Sequence, residues 1–118
     1  MKYILLIYKA ENSQSATTRD ECKSEAQGLI AELTSKGQYL AAAPLHPTST
    51  AVSVRTHEGK RLVTDGPFAE THEQLGGFYL VDTVNIDEAI EIAGRVLGAH
   101  TGTIEIRPVA ELPELSAH

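Results

Sequence analysis

Two short stretches of this chain are apolar on both of their alternating faces. One is Tyr3-Ile4-Leu5-Leu6-Ile7-Tyr8 and the other is Gly77-Phe78-Tyr79-Leu80-Val81. A strand of this kind belongs in the interior of a sheet that is covered on both sides. The segment Thr103 to Arg107 behaves differently. Ile104 and Ile106 alternate with Glu105 and Arg107, the pattern of a strand with one wet face.

Between these strands lie two helical patterns. From Thr18 to Lys36, Cys22, Ala26, Leu29, Ile30 and Leu33 recur at steps of three and four and make one apolar stripe. Arg19, Lys23, Glu25 and Glu32 occupy the opposite face. Thr18 and Glu21 have capping-box spacing, and Gly37 is a natural stop. From Ile86 to Leu97, the expected buried stripe is Ile86, Ala89, Ile90, Ala93, Val96 and Leu97. Asn85 serves as N-cap with Glu88 as its box partner, and Asp87 and Glu88 suit the positive end of the helix dipole. Gly94 weakens this helix by about 1 kcal/mol relative to alanine, and Gly98 ends it.

Tyr39 to Ala43 is a further short strand, ended by Pro44, and Leu45 to Ser49 is a loop. Ala51–Arg55 and Arg61–Asp65 form a hairpin across His57-Glu58-Gly59-Lys60. Val52 and Val54 alternate with polar neighbours, which predicts one wet face. Without the hairpin the order is β-α-β-β-α-β, an α+β, ferredoxin-like arrangement. That topology places the first and third strands at the centre and the second and fourth at the edges. The two-faced apolar strands are the first and third, and the alternating one is the fourth, so pattern and topology agree. Both helices then cover one sheet face. The other face needs a cover, either a second copy of the chain in a face-to-face homodimer or the 51–65 hairpin folded back over it. Residues 1–110 are expected to form the single domain, with 111–118 a fraying tail.

Composition limits the partners. The 118 residues carry a net charge of −6, which argues against nucleic acid and anionic membranes, since both require basic patches. A single cysteine, Cys22, rules out an internal disulfide. The apolar run at the N-terminus is too short for a signal-peptide core or a membrane span. The expected location is the cytoplasm.

The unusual chemistry is concentrated between Val63 and Leu80. Asp65-Gly66-Pro67-Phe68 is a tight corner in which Asp65 bonds the local backbone and Phe68 tucks into the core. Alternatively it holds the Asp65 carboxylate at a cleft as a general base or ligand anchor. Glu70, His72, Glu73 and Gln74 follow. A helical turn there would put Glu70 and Glu73 on one face as acid/base machinery or a weak metal site, and otherwise the segment is a solvated loop. Gly76 and Gly77 provide a bulge or close backbone approach, or room for a ligand. His46, His100 and Arg107 are further candidates for a pocket lining, while His57 and His118 are expected in solvent. Cys22 is expected in the core. No H-E-x-x-H, paired-cysteine or Ser/His/Asp pattern occurs, so neither a metal nor a cofactor is expected.

The run Val63-Thr64-Asp65-Gly66-Pro67-Phe68-Ala69-Glu70-Thr71, followed by Glu73-Gln74-Leu75-Gly76-Gly77-Phe78-Tyr79-Leu80, resembles the DGPF group of the YCII-related family. The Met1-Lys2-Tyr3 opening, Asp87-Glu88-Ala89 and Gly102-Thr103-Ile104-Glu105-Ile106-Arg107-Pro108 extend the resemblance over nearly the whole chain. It implies a dimeric α/β-barrel of ferredoxin-like fold. One branch of the family looks like a dehydrochlorinase acting on a chlorinated hydroxyquinol through a His and an Asp. Members of the DGPF group often accompany extracytoplasmic-function sigma factors. The His of that pair lies near the first helix in the family. No His occurs between Thr18 and Lys36 here, so the pair does not carry over. Asp65, Glu70, Gln74, Gly76 and Gly77 match by position, and His72 stands where Lys is common.

Two functions follow. One is a metal-independent lyase or isomerase with Asp65 as acid/base, Glu70 assisting, and Gly66, Pro67, Phe68 and Gln74 holding a small molecule. The other is a non-catalytic dimeric module that binds a ligand or protein, linked to sigma-factor regulation.

Overall fold

The apolar rhythm of the first residues produces strand β1 (Lys2–Lys9), which lies between two antiparallel neighbours, β5 (Gln74–Asp82) and β6 (Thr103–Pro108). The computed structural model describes residues 1–11, 16–98 and 101–110, with residues 16–22 described by their backbone alone. Strand β2 (Tyr39–Pro44) pairs with the outer side of β5, giving a four-stranded antiparallel sheet of order β2-β5-β1-β6. The two-faced apolar strands are therefore central and the alternating strand is an edge. With helices α1 (Ala16–Ser35) and α2 (Ile86–Leu97), the fold is α+β and compatible with a ferredoxin-like arrangement.

Both helices lie on one sheet face. Tyr3, Leu5, Tyr79 and Val81 point into that layer and meet Leu29 and Leu33 of α1 and Ala89, Ile92 and Ala93 of α2. Each is buried, and Leu5 and Val81 have no exposed surface, which for a side chain of this size is worth about 1.5–3 kcal/mol. The alternate residues Ile4, Leu6, Phe78 and Leu80 pair across the strands as Ile4–Leu80 and Leu6–Phe78. They point to the opposite face, where they are only half-buried.

The helix ends follow local chemistry. Gly37 takes a φ of 71°. Its N–H donates to the Thr34 carbonyl at 3.1 Å, and the Gln38 N–H donates to the Leu33 carbonyl at 2.9 Å. This is the Schellman closure that glycine permits. At α2, Asn85 Oδ1 accepts from the Glu88 N–H at 3.0 Å, and Glu88 Oε1 accepts from the Val84 N–H at 3.2 Å. Arg95 of α2 pairs with Glu32 of α1 and holds its carboxyl below the usual range. The Thr18–Glu21 pair, Arg19 and Cys22 lie outside the described side chains.

Three expectations need correction. In α2, Ile86 and Ile90 are exposed and Ile92 is buried instead. Positions 89, 92, 93 and 96 lie on one line at steps of three and four. Once Ala89 and Ala93 face the sheet, Ile86 and Ile90 fall on the flank. In the hairpin, β3 (Val52–His57) and β4 (Lys60–Asp65) are joined by only two residues. Glu58 and Gly59 both have positive φ, 51° and 77°, as a type I′ turn requires. Finally, β3 and β4 form a separate two-stranded sheet, and Val52 and Val54 are 59% and 61% exposed. Both faces of the hairpin are wet, and among the described residues it does not fold back over the open sheet face.

Two glycines have opposite surroundings. A Cβ on Gly77 would lie 2.9 Å from the Ala43 carbonyl oxygen, whereas one on Gly94 meets nothing within 4 Å. Gly77→Ala should lose about 1–3 kcal/mol, the cost of overpacking against backbone. Gly94→Ala should gain about 1 kcal/mol from helix propensity. Urea denaturation of the two variants checks both signs.

Burial pushes the Tyr79 phenol above its ordinary value, with a smaller contribution from nearby Tyr39. The native state thus favours the neutral ring, and the unfolded chain loses its proton first. This contribution to stability is complete below a pH of about 10 and is lost as pH rises through the folded value. Tyr79→Phe should flatten the alkaline fall in stability, measured by denaturation at a series of pH values above about 9.

Candidate functional site

The segment between β4 and β5 has no regular structure from Gly66 to Glu73. Gly66 starts it with a φ of 100°, in the region that favours glycine. Its N–H donates to the Ala51 carbonyl at 2.7 Å, and its own carbonyl accepts from Ser53 Oγ at 2.7 Å. These bonds pin the root of the hairpin. At the other end of the segment Gln74 Nε2 donates to the Thr71 carbonyl at 2.9 Å, and Thr71 Oγ1 donates to the Glu73 carbonyl. The chain then enters β5 through a bulge. Ile7 pairs with Gly77 and Tyr8 with Leu75, which leaves Gly76 unpaired in the β1 ladder. The Gly76 carbonyl accepts from the Leu45 N–H at 2.9 Å, tying the end of β2 to this point.

Facing the segment is a single 3-10 turn, Thr48–Thr50. Pro47 begins it, and the Pro47 carbonyl accepts from the Thr50 N–H at 2.9 Å and from Thr50 Oγ1 at 2.7 Å. Glu11, just past β1, accepts from the Thr48 N–H at 2.9 Å through Oε1. Between the two walls is an open cleft of about 620 Å³ lined by Glu11, Pro47, Thr48, Ser49, Gly66, Pro67, Glu70, Thr71 and Gln74. The volume suits a small molecule.

The chemistry of the lining is one-sided. Glu11 and Glu70 bring carboxylates, Thr48, Ser49 and Thr71 bring hydroxyls, and Gln74 brings an amide. One N–H of Gln74 is engaged by the Thr71 carbonyl, which leaves the amide its oxygen as an acceptor and its second N–H as a donor. No lysine, arginine or histidine lines the cleft among the described residues.

Of the residues singled out in the sequence, the fold brings Gly66, Pro67, Glu70 and Gln74 together here. Asp65 is exposed at the end of β4 and is not part of the lining. Phe68, expected in the core, is 88% exposed. The pinned Gly66 turn carries the chain outward before Phe68, beyond reach of the helix-covered layer. Glu70 and Glu73 do not share a helical face. Glu70 lines the cleft, whereas Glu73 Oε1 accepts from Thr103 Oγ1 of β6 at 3.1 Å. Gly76 and Gly77 serve the bulge and the close approach of β2. His46 is exposed on the loop after β2, Arg107 is exposed on β6, and His57 and His72 are exposed. His100 and His118 lie outside the described residues. No group of three or more His, Cys, Asp and Glu side chains comes together among the described residues in a way that could hold a metal ion.

Known proteins place the chain. A YCII-related domain matches residues 1–113. The chain belongs to the YCII-related family. It is also 39% identical over 115 residues to an uncharacterised protein of Rhizobium meliloti (strain 1021), a match covering 93% of each. In this YCII-related chain the acidic corner divides its roles. Gly66 roots the hairpin, Pro67, Glu70, Thr71 and Gln74 wall the cleft, and Gly76-Gly77 admits the strand.

Sequence reasoning missed Glu11, Pro47, Thr48, Ser49 and Thr71 as lining residues. The available signal was Pro47-Thr48-Ser49-Thr50, three consecutive hydroxyl residues after a proline. Nothing local distinguishes Glu11, which reaches the cleft only because β1 ends beside it.

A Cβ at Gly66 would meet nothing within 4 Å, so Gly66→Ala tests backbone strain alone. It should cost about 1–3 kcal/mol in thermal or urea denaturation. A loss below about 0.5 kcal/mol, the range of a neutral surface substitution, would mean that the turn relaxes freely.

Proposed function

We propose that this YCII-related protein binds a small neutral or cationic molecule, rich in hydroxyl or amino groups, in the cleft at the hairpin root, and that it does so as a homodimer. The observation that supports this most is the acceptor-rich lining. Two carboxylates, an amide and three hydroxyl side chains belong to residues lining the same space, without a cation among the described residues. A ligand that donates hydrogen bonds suits such a lining, and an anion does not. The net charge of −6 acts in the same direction over longer range.

The dimer is supported by the half-buried sheet face. Ile4, Leu6, Phe78 and Leu80 form cross-strand apolar pairs on it, and Tyr8 and Leu75 extend it because the Gly76 bulge restores their register. An isologous partner would cover this face in both copies at once.

A second reading, acid/base chemistry of lyase or isomerase type, draws support from one feature. The Glu70 carboxylate has no hydrogen-bond or ion-pair partner among the described residues and borders the cleft. A carboxylate in that position can take a proton from a bound carbon or hydroxyl acid. Asp65, the positional match to the DGPF aspartate, stands outside the lining, so in this reading Glu70 carries the proton and Asp65 holds the corner.

The test is a thermal-shift and calorimetric series with benzenediols and small amines as probes. Binders should stabilise the wild type. Glu70→Gln should weaken their binding by about tenfold or more, the loss of one charge-assisted bond, and Asp65→Asn should change it little. If no probe binds, or if Glu70→Gln binds equally well, the cleft assignment fails. Carbon-bound deuterium exchange in a probe, lost in Glu70→Gln and kept in Asp65→Asn, would select the catalytic reading. Light scattering should return twice the 12.7 kDa chain mass.

A further inference from the structure

The β3–β4 hairpin is the part of the molecule that the fold explains least. Two-stranded hairpins are at best marginally stable alone in water and need a third strand or a packed face. This one has neither among the described residues. Its strands pair only with each other. Directly opposed residues share a face, so Val52, Val54 and Val63 lie on one side, flanked by Asp65 at the root and Thr56 and Arg61 toward the tip, with Arg55, Leu62, His57 and Lys60 on the other. The valine side is open, with Val54 and Val63 paired and 61% and 63% exposed. The root is not loose. Gly66 and Ser53 hold it through two 2.7 Å bonds, so the strand pair leaves the body in a set direction as an arm.

Charge indicates what the arm meets. Residues 52–65 contain Arg55, Lys60 and Arg61 against Glu58 and Asp65, a net charge of +1. That leaves −7 on the rest of a chain whose total is −6. A second copy of this chain therefore offers the arm an acidic body, and a two-fold axis would let each arm find the other body in the same contact.

We propose that the β3–β4 hairpin is a clasp that lays its Val52–Val54–Val63 face on the body of a second copy of this chain. The proposal rests on the homodimer reading above and goes beyond it, because it gives the arms a contact of their own. It also joins assembly to the candidate site. Gly66 and Pro67 at the arm root line the cleft, so a clasped arm would steady one wall of it.

The test compares wild type, the double variant V54K/V63K and the control L62K by analytical ultracentrifugation, with circular dichroism to confirm folding. Leu62 lies on the opposite side of the arm and is also exposed. Wild type should dimerise. V54K/V63K should weaken the dimer by about 100-fold or more, the loss expected from uncovering two valines, and L62K should change it little. A wild type that stays monomeric at all concentrations overturns the dimer reading itself. A wild-type dimer that V54K/V63K leaves unchanged overturns only the clasp. If V54K/V63K does not fold, hydrogen exchange of the wild type decides. Amides of 52–57 and 60–65 should become more protected as concentration carries the protein from monomer to dimer. Equal exchange in both states overturns the clasp.

Discussion

β5 lies between β1 and β2, and its entry depends on a contact that only glycine allows. The Ala43 carbonyl and Pro44 backbone press against Gly77, at 2.9 and 3.3 Å from where a Cβ would stand. Immediately before it Gly76 bulges out of the β1 ladder, and its carbonyl takes the Leu45 N–H. Together the two glycines lock the end of β2 to the start of β5. The two irregular segments that wall the cleft, 45–51 and 66–73, each begin or end at that lock. The cleft is thus a consequence of how a central strand enters its sheet.

The same bulge shapes the open sheet face. Without an extra residue, Leu75 would point with Gly77 and Tyr79 toward the helices. With it, Leu75 pairs with Tyr8 on the opposite side. The helix-covered layer is closed by Leu29, Leu33, Ala89, Ile92 and Ala93, whereas the opposite layer ends in half-buried side chains. Ala41 and Ala43 of β2 oppose Leu80 and Phe78 there, leaving the β2 margin shallow. The β6 margin carries Glu105 and Arg107 opposite Leu6 and Ile4. This face is apolar in the middle and charged along one edge.

Strand placement was legible because burial on two faces makes both alternating sets apolar in the middle of β1 and β5, while an edge strand such as β6 alternates. Helix ends were legible for a related reason. Gly37, Asn85 and Glu88 act through bonds to residues within five positions, so their roles are written locally. The orientation of α2 was harder to read. Ile86 and Ile90 are as apolar as Ile92, and only the close fit of Ala89 and Ala93 against the sheet decides which of them turns inward. The candidate site was half legible. Gly66, Pro67, Glu70 and Gln74 share one segment and could be found as a cluster. Glu11 and Thr48 come from other segments, and the bond between them joins residues far apart in the chain.

Phe68 and the hairpin mark the boundary most clearly. An aromatic residue after a tight turn, and valines alternating with polar neighbours, both carry the local signature of burial, yet both stand in solvent in the single chain. Side-chain pattern alone determined which segments are strands and helices, which strands are central, and where the helices stop, because those outcomes depend on period and on near-neighbour hydrogen bonds. Tertiary structure alone decided which apolar residues are covered, which carboxylates border the cleft, and where the hairpin points. Those outcomes depend on which distant backbones approach one another, and the approach at Gly77 sets that geometry.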